Sequence, residues 1–454
     1  MVGVHRSSGC LLCVKRRVKC DQRLPACAKC EKYGQPCPGY DRGFKFVTGK
    51  PYRDRRQQAN PRNHKHVGGR PETEMISSLI SADMNVMQNL CVLVDDFSRP
   101  DVSSPAHVVS RWFGFLPTIY GQNRVLDATI KSFTANHFGR VTQNTQMVSY
   151  ARSAYGEALR GLRRTLDTPA EALSSHIFCA VVLLCMYELF TDTESPDSWM
   201  KHAKGLGQLV RIRGPDRYNT ELDMALLKAS RGVIVMHALF SGEECFLASD
   251  QWHDIMRKQV NEGLPERLHH SIEEFFAYMT HAPDLVHKLY GLRSPGITPA
   301  EQSQRIPEVV TQALEMQTKL ATWYEQFSHI VPPPTETISS TGDELHPIVL
   351  TYTDVNSATI YCGYYAYMVI IHEALRSCGY PGEHDAMVVY FRDRICKSVE
   401  YNTRGLLGPY RMGFPLRVVF EVADPVTRAW LLDRLEHLSK TYAAVRPENY
   451  KTVL

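Results

Sequence analysis

Six cysteines fall within residues 10–37, in the order Cys10-x2-Cys13-x6-Cys20-x6-Cys27-x2-Cys30-x6-Cys37. Nothing else in the 454 residues constrains the fold as tightly. The large apolar residues inside this segment are few: Leu11, Leu12, Val14, Val18, Leu24 and Tyr33. A stretch this short cannot bury a self-sufficient core, so something bonded to the thiols must hold it. One structural zinc takes four tetrahedral ligands, and each C-x2-C-x6-C unit offers three. Two zinc ions need eight ligand places, which six thiolates fill only if two sulfurs bridge. That arithmetic favours a binuclear site over one four-cysteine zinc with two spare thiols, a disulfide knot, or an iron–sulfur cluster. Metal coordination then supplies ~10 kcal/mol or more of folding energy per ion.

The same segment is strongly basic. Residues 1–71 hold 17 Lys and Arg against 4 Asp and Glu, a net of +13. Of the chain's 52 basic and 48 acidic side chains this leaves 35 and 44 for the rest, a net of −9. A basic head on a mildly acidic body points to a polyanion as partner. A membrane surface is the alternative, but the head lacks an amphipathic helix with a broad apolar face. No run reaches the ~20 continuous apolar residues of a membrane span, and "VVLLCMY" near residue 184 reads as a buried helix face. The N-terminus has no apolar stretch of secretion-signal length, so a reducing, intracellular setting is expected. Cysteines there are thiols or metal ligands. Cys91, Cys179, Cys185, Cys245, Cys362, Cys378 and Cys396 are dispersed and read as buried thiols.

The basic run "VKRRVK" lies between Cys13 and Cys20. As a short helix it puts Lys15 and Lys19 on one side and Val14 and Val18 on another, with Arg16 and Arg17 directed elsewhere. Its valines would rest on the cluster and its charges face outward, where Lys and Arg read guanine O6 and N7 in a major groove. In the second unit Lys29 and Lys32 flank Glu31, a mixed charge suited to DNA-backbone contact at most. Pro25 marks a turn before Cys27, as Gly34 and Pro36 do before Cys37.

The segment resembles the fungal Zn2Cys6 binuclear-cluster DNA-binding domain of zinc-cluster transcription factors. All six cysteines match, as do the basic run after the second and the proline before the fourth. The resemblance implies two Zn2+ per chain, with Cys10 and Cys27 bridging. Cys13 and Cys20 then complete one ion, and Cys30 and Cys37 the other. It also implies a nuclear setting, double-stranded DNA as partner, CGG-type triplets as target, and control of RNA polymerase II transcription. Arg16 and Arg17 match the two positions that contact bases, with Lys15 and Lys19 left for phosphates. Val14 stands where many members carry a basic residue, which removes one phosphate contact.

A small cluster domain followed by a large all-α regulatory domain is therefore expected. Residues 1–40 read as the cluster and 41–71 as a flexible basic linker, rich in Gly, Pro, Arg and Asn without periodicity. Its Lys45, Arg53, Arg55 and Arg56 are candidates for DNA-backbone contact. Residues 72–96 read as a helix, with Ile76, Ile80, Met87, Leu90 and Val94 near heptad spacing and Asp83 breaking the repeat. That pattern suits a short coiled coil, which would make a homodimer, or the first helix of the body. From 97 to 454, apolar spacing marks helices near 147–166, 171–190, 199–213, 221–241, 303–329, 355–377 and 417–442. Residues 330–347 read as the longest loop. "SWMKHAKGLGQLVRIRGP", 198–215, resembles the W-x2-H-x2-G…L…RG signature of the regulatory domain of fungal zinc-cluster factors. Trp199, Leu206, Leu209 and Val210 share its apolar face, Gly205 permits close helix approach, and Gly214 with Pro215 ends the helix.

No G-x-S-x-G, H-E-x-x-H or P-loop pattern occurs, and no enzymatic activity is expected. "HHSIEEFF", with His269, His270, Glu273 and Glu274, reads as a charged helix start rather than a metal pair. The body would recruit coregulator proteins or hold a small effector between helices. The rival reading is a zinc-stabilised protein-interaction scaffold whose basic segment is only an import signal.

Overall fold

The computed structural model describes residues 10–21, 23, 26–35, 37–38, 85–97, 110–191, 198–258, 264–294 and 296–450. The readings placed on Pro25, Pro36, Ile76, Ile80 and Asp83 lie outside the described residues. So do those on the linker 41–71, with Lys45, Arg53, Arg55 and Arg56, and on the side chain of Val14. The chain divides into two units, Met1–Arg70 and Pro71–Leu454.

In the first unit, α1 spans Leu11–Lys15 and α2 spans Ala28–Glu31. Each begins directly after a cysteine, so the turn that closes the helix also folds the next cysteine back. The buried centre is Cys10, Cys13, Cys27 and Cys30, with Leu12, Cys20 and Cys37 packed against it. The expected helix across "VKRRVK" does not form as such. α1 stops at Lys15, the backbone swings left-handed at Arg17 (φ 55°), and Lys19 is off the helix. Val18, expected to rest on the cluster, is exposed.

The second unit is helical around a continuous apolar core. A helix at 85–97 (α3) buries Leu90, Leu93 and Phe97 in that core, and the Phe97 ring stacks 4.7 Å from Phe113. Cys91, on the other side of α3, is exposed rather than buried. A 3-10 turn at Arg111–Phe115 leads into α4 (Leu116–Ile119). α5 (Arg124–Val141) and α6 (Thr145–Thr165) form an antiparallel pair, each started by an asparagine, Asn123 and Asn144, whose side chain accepts two free backbone N–H groups. The pair is close because Gly139 has no side chain: a Cβ there would meet Val148 at 2.9 Å. After α7 (Pro169–Ala172), α8 (Ser175–Phe190) is apolar on every side and buried from Ile177 to Phe190, the mark of a central helix.

α9 (Ser198–Arg213) carries the tryptophan-to-arginine signature. His202 bonds the Tyr155 hydroxyl of α6 at 2.9 Å, and Tyr155 donates in turn to Glu188 of α8. Arg213 is buried, pairs with Asp223 at 2.6 Å and donates to the Leu173 carbonyl, tying three helix ends together. Gly205, expected to allow close helix approach, faces open space, whereas Gly207 sits against Phe246. Gly214, at φ 68°, ends the helix. α10 (Glu221–Ser241) has the length and apolar composition of a membrane span, yet most of it is buried inside the body, Asp223, Lys228 and Arg231 included.

α11 (Asp250–Met256), α12 (Glu266–Met279) and α13 (Ala282–Leu292) follow. "HHSIEEFF" is not a solvated helix start, because His269 and Glu273 of α12 point inward at Lys228 and Arg231 of α10. α14 (Pro299–Ile330) opens with a reciprocal cap between Thr298 and Glu301. The expected long loop contains a hairpin: β1 (Thr335–Ile338) pairs antiparallel with β2 (Ile348–Thr351), Thr335 opposite Thr351. α15 (Val355–Ser377), capped by Asp354, is the second central helix, buried almost throughout. Its Tyr361 and Tyr364 pack with Trp323 and Phe327 of α14, and Trp323 donates to the Ser271 carbonyl at 2.8 Å. α16 (His384–Asn402) lies alongside α15. The helix expected at 417–442 is two: α17 (Gly408–Val422) and α18 (Pro425–Ser439). Asp424 breaks the run by accepting the Val426 and Thr427 N–H groups, and Pro425 takes the first helical position.

Candidate metal centre and nucleic-acid interface

The cysteine frame is internally repeated. A shift of 17 residues carries Cys10 to Cys27, and likewise Cys13 to Cys30 and Cys20 to Cys37. In each half the first sulfur accepts the backbone N–H of the second cysteine at 3.4 Å, Cys13 N to Cys10 Sγ and Cys30 N to Cys27 Sγ. Such bonds favour the thiolate. Sulfur separations are 3.8 Å for Cys10–Cys27, 3.5 Å for Cys10–Cys30 and 3.6 Å for Cys13–Cys27. These are far longer than the ~2.05 Å of a disulfide. They match the edge of a zinc–thiolate tetrahedron, about 3.8 Å for Zn–S bonds of ~2.3 Å.

Two sets of four sulfurs each lie within 4.8 Å of one another: Cys10, Cys13, Cys20, Cys27 and Cys10, Cys27, Cys30, Cys37. The sets share Cys10 and Cys27, so six cysteines offer two complete tetrahedra. Burial pushes the Cys13 thiol up to about 12, reinforced by its hydrogen bonds to Cys10 and Cys27. Burial raises Cys30 further still. Burial thus disfavours the thiolate at Cys13 and Cys30. A divalent cation supplies the charge that makes the thiolate the favoured form. The site is a binuclear zinc centre.

The residues expected at a DNA surface are distributed unevenly. Lys15, Arg17 and Lys19 are exposed, as are Lys29 and Lys32 of the second half. Arg16 is not free in the same sense. Its guanidinium carbon lies 3.4 Å from the centre of the Tyr33 ring, and its Nη1 reaches the Lys29 carbonyl at 3.4 Å. Since Tyr33 occupies in the second half the place of Arg16 in the first, this contact joins the two halves of the cysteine frame.

Arg17 has its own counterpart, Gly34. Both helices are followed by the same bond, back to the second cysteine of each half: Val18 N to the Cys13 carbonyl at 3.0 Å, Gln35 N to the Cys30 carbonyl at 3.3 Å. The residue before each donor is left-handed, φ 71° at Gly34 and φ 55° at Arg17. Glycine adopts this geometry freely, whereas a residue with a Cβ loses roughly 1–2 kcal/mol. Sequence reasoning missed the turn because an arginine stands where a glycine would have announced it. The 17-residue offset to Gly34 was the available signal.

Comparison with known proteins matches residues 8–45 to the fungal Zn(2)-Cys(6) binuclear cluster domain and residues 113–324 to the fungal specific transcription factor domain. Neither is an enzymatic module. Three relatives illustrate the likeness. An uncharacterized protein of Emericella nidulans is 29% identical over 130 residues, 29% of this chain and 28% of that protein. White-opaque regulator 2 of Candida albicans is 32% identical over 115 residues, 21% of this chain and 26% of that protein. Arginine metabolism regulation protein II of Saccharomyces cerevisiae is 56% identical over 34 residues, 8% of this chain and 4% of that protein. The chain thus spans about a quarter or less of the length of these relatives. No solved structure matches.

Proposed function

The chain belongs to the fungal Zn2Cys6 binuclear-cluster transcription factors, proteins of the nucleus, and from that premise we propose that it binds double-stranded DNA sequence-specifically to regulate RNA polymerase II transcription. Cys10, Cys13, Cys20 and Cys27 would hold one Zn2+ and Cys10, Cys27, Cys30 and Cys37 the other, with Cys10 and Cys27 serving both. Arg17 is the principal base reader. The observation that carries this reading is its left-handed backbone at a position where the repeated half uses Gly34. A cost of that kind is kept where the side chain is needed. An exposed guanidinium beside the cluster suits guanine O6 and N7, as in a CGG-type triplet.

Lys15 and Lys19 flank it and neutralise phosphates. Lys29 and Lys32, and Lys45, Arg53, Arg55 and Arg56 in the linker, extend that contact along the backbone. Arg16 reaches a base only by leaving Tyr33 and Lys29, so its share of the reading is smaller. With about six phosphates neutralised, log affinity falls with log salt at a slope of roughly −5. The body recruits coregulator proteins, and a homodimer would place two heads on paired triplets.

Selection of random double-stranded DNA by the full chain tests this. Enrichment of a GC-containing triplet that is lost with Arg17→Ala is the expected result. One triplet indicates a monomer and two at fixed spacing a dimer. Equal binding to all sequences would overturn specific recognition and favour the interaction scaffold.

A further inference from the structure

α10 carries Lys228 and Arg231 into the interior, where they are 2% and 4% exposed. Both face Glu273 of α12: Lys228 Nζ lies 3.2 Å from one carboxylate oxygen, and Arg231 Nη1 donates to the other. Lys228 also lies 2.9 Å from His269 Nε2. Burial alone would raise the Glu273 carboxyl, but Arg231 and Lys228 reverse this and hold it below its ordinary value. The one ionised carboxylate touches both Lys228 and the Arg231 guanidinium. One face of that guanidinium sits 3.6 Å over the Phe276 ring. Its Nη2 is a buried donor with no acceptor among the described residues. An unmet donor at this depth is unfavourable, and a hydrogen-bond acceptor brought to it would relieve that.

Lys228 and Arg231 line a cavity of about 590 Å³ bounded by α8, α9, α10, α12, α15, α17 and the segment 442–450. Most of its wall is apolar, including Trp199, Val235, Met236, Phe275 and Met279. A further cation on the wall, Arg411 of α17, bonds the Asn402 and Arg404 carbonyls rather than a carboxylate. Burial pushes its guanidinium down to about 10. The volume is within the ~300–1,000 Å³ of small-molecule sites. An apolar chamber whose wall carries Lys228, Arg231 and Arg411 suits an apolar body with an anionic head.

We propose that this cavity binds an amphipathic small molecule carrying one carboxylate, its head on Arg231 and its apolar part against Val235, Met236 and Phe275. The site lies wholly within the body and is independent of whether the head reads DNA. Dodecanoate and dodecan-1-ol, which share an apolar chain and differ in head, are the probes. Trp199 is the reporter, checked against Trp199→Phe. Titrated into the full chain, dodecanoate should shift tryptophan emission saturably and bind at least tenfold tighter than the alcohol. Arg231→Gln should remove that preference, and Met236→Trp, which fills the chamber, should weaken both ligands at least tenfold. Should Arg231→Gln fail to fold, as read by circular dichroism, the head-group preference and Met236→Trp still decide. Equal affinity for the two probes, no saturable change with either, or unaltered dodecanoate binding in Met236→Trp would each overturn the proposal.

Discussion

In residues 10–38 the buried centre consists of Cys10, Cys13, Cys27 and Cys30, and among the described residues Leu12 is the one aliphatic side chain packed against it. In the body it consists of Trp112, Trp323, Tyr361, Tyr365, Tyr367 and the aliphatic faces of α8, α10 and α15. The head therefore owes its stability to one type of bond, coordination, and loses it all at once. The body spreads its stability over many contacts, each replaceable at modest cost. The difference predicts how each region fails.

The largest effect should come from metal removal. A chelator, or Cys10→Ala, removes ~10 kcal/mol or more of folding energy from the head. Specific DNA binding should then disappear, while the far-UV circular dichroism of the helical body stays intact. Joint melting of both regions on chelation would break the comparison. Next comes the aromatic layer of the body: Trp323→Ala should cost about 3–5 kcal/mol in denaturant unfolding and leave zinc stoichiometry at two per chain. A smaller effect sharpens the contrast within the head. Arg17→Gly should relieve roughly 1–2 kcal/mol of backbone cost yet abolish triplet selection, and Gly34→Arg should reverse the sign on stability alone. Stability would be read by competition with a zinc chelator. A variant at Arg17 that lost stability and kept selection would contradict the assigned role.

The smallest effect is one of pH. His372 is buried 3.0 Å from His384, Nδ1 to Nδ1, and burial followed by the neighbouring His384 lowers its pKa to about 4. The unfolded chain takes up this proton below about 6.5 and the folded one does not. The contribution is therefore complete above 6.5 and lost as pH falls towards 4. The melting temperature of the body should fall over that window, and His372→Gln should flatten the fall.

The cluster was legible in the sequence because coordination imposes fixed spacing, and spacing survives without any knowledge of packing. The central helices α8, α10 and α15 were legible from their apolar runs. What escaped depended on partners distant in the chain. The charges in "ALLKASRGVIVM" of α10 find their partners only when α12 brings Glu273 and His269 opposite them. The hairpin β1–β2 escaped because its first strand is exposed on both faces and carries no alternation. The break between α17 and α18 was in principle readable, since Asp424-Pro425 is a helix start, but the apolar periodicity on either side masked it. The turn at Arg17 escaped because turn residues are recognised by type, and arginine is not one.

The hydrogen bond from Val18 N to the Cys13 carbonyl has a practical corollary. It fixes the backbone path through residues 15–17 by main-chain atoms alone, and Cys13 and Cys20 anchor its two ends. The exposed side chains along this path can be exchanged with less disturbance than Arg16, whose contacts to Tyr33 and Lys29 join the two halves. A chain of this build could be retargeted to a new DNA word by a handful of substitutions, all of them between two neighbouring thiols.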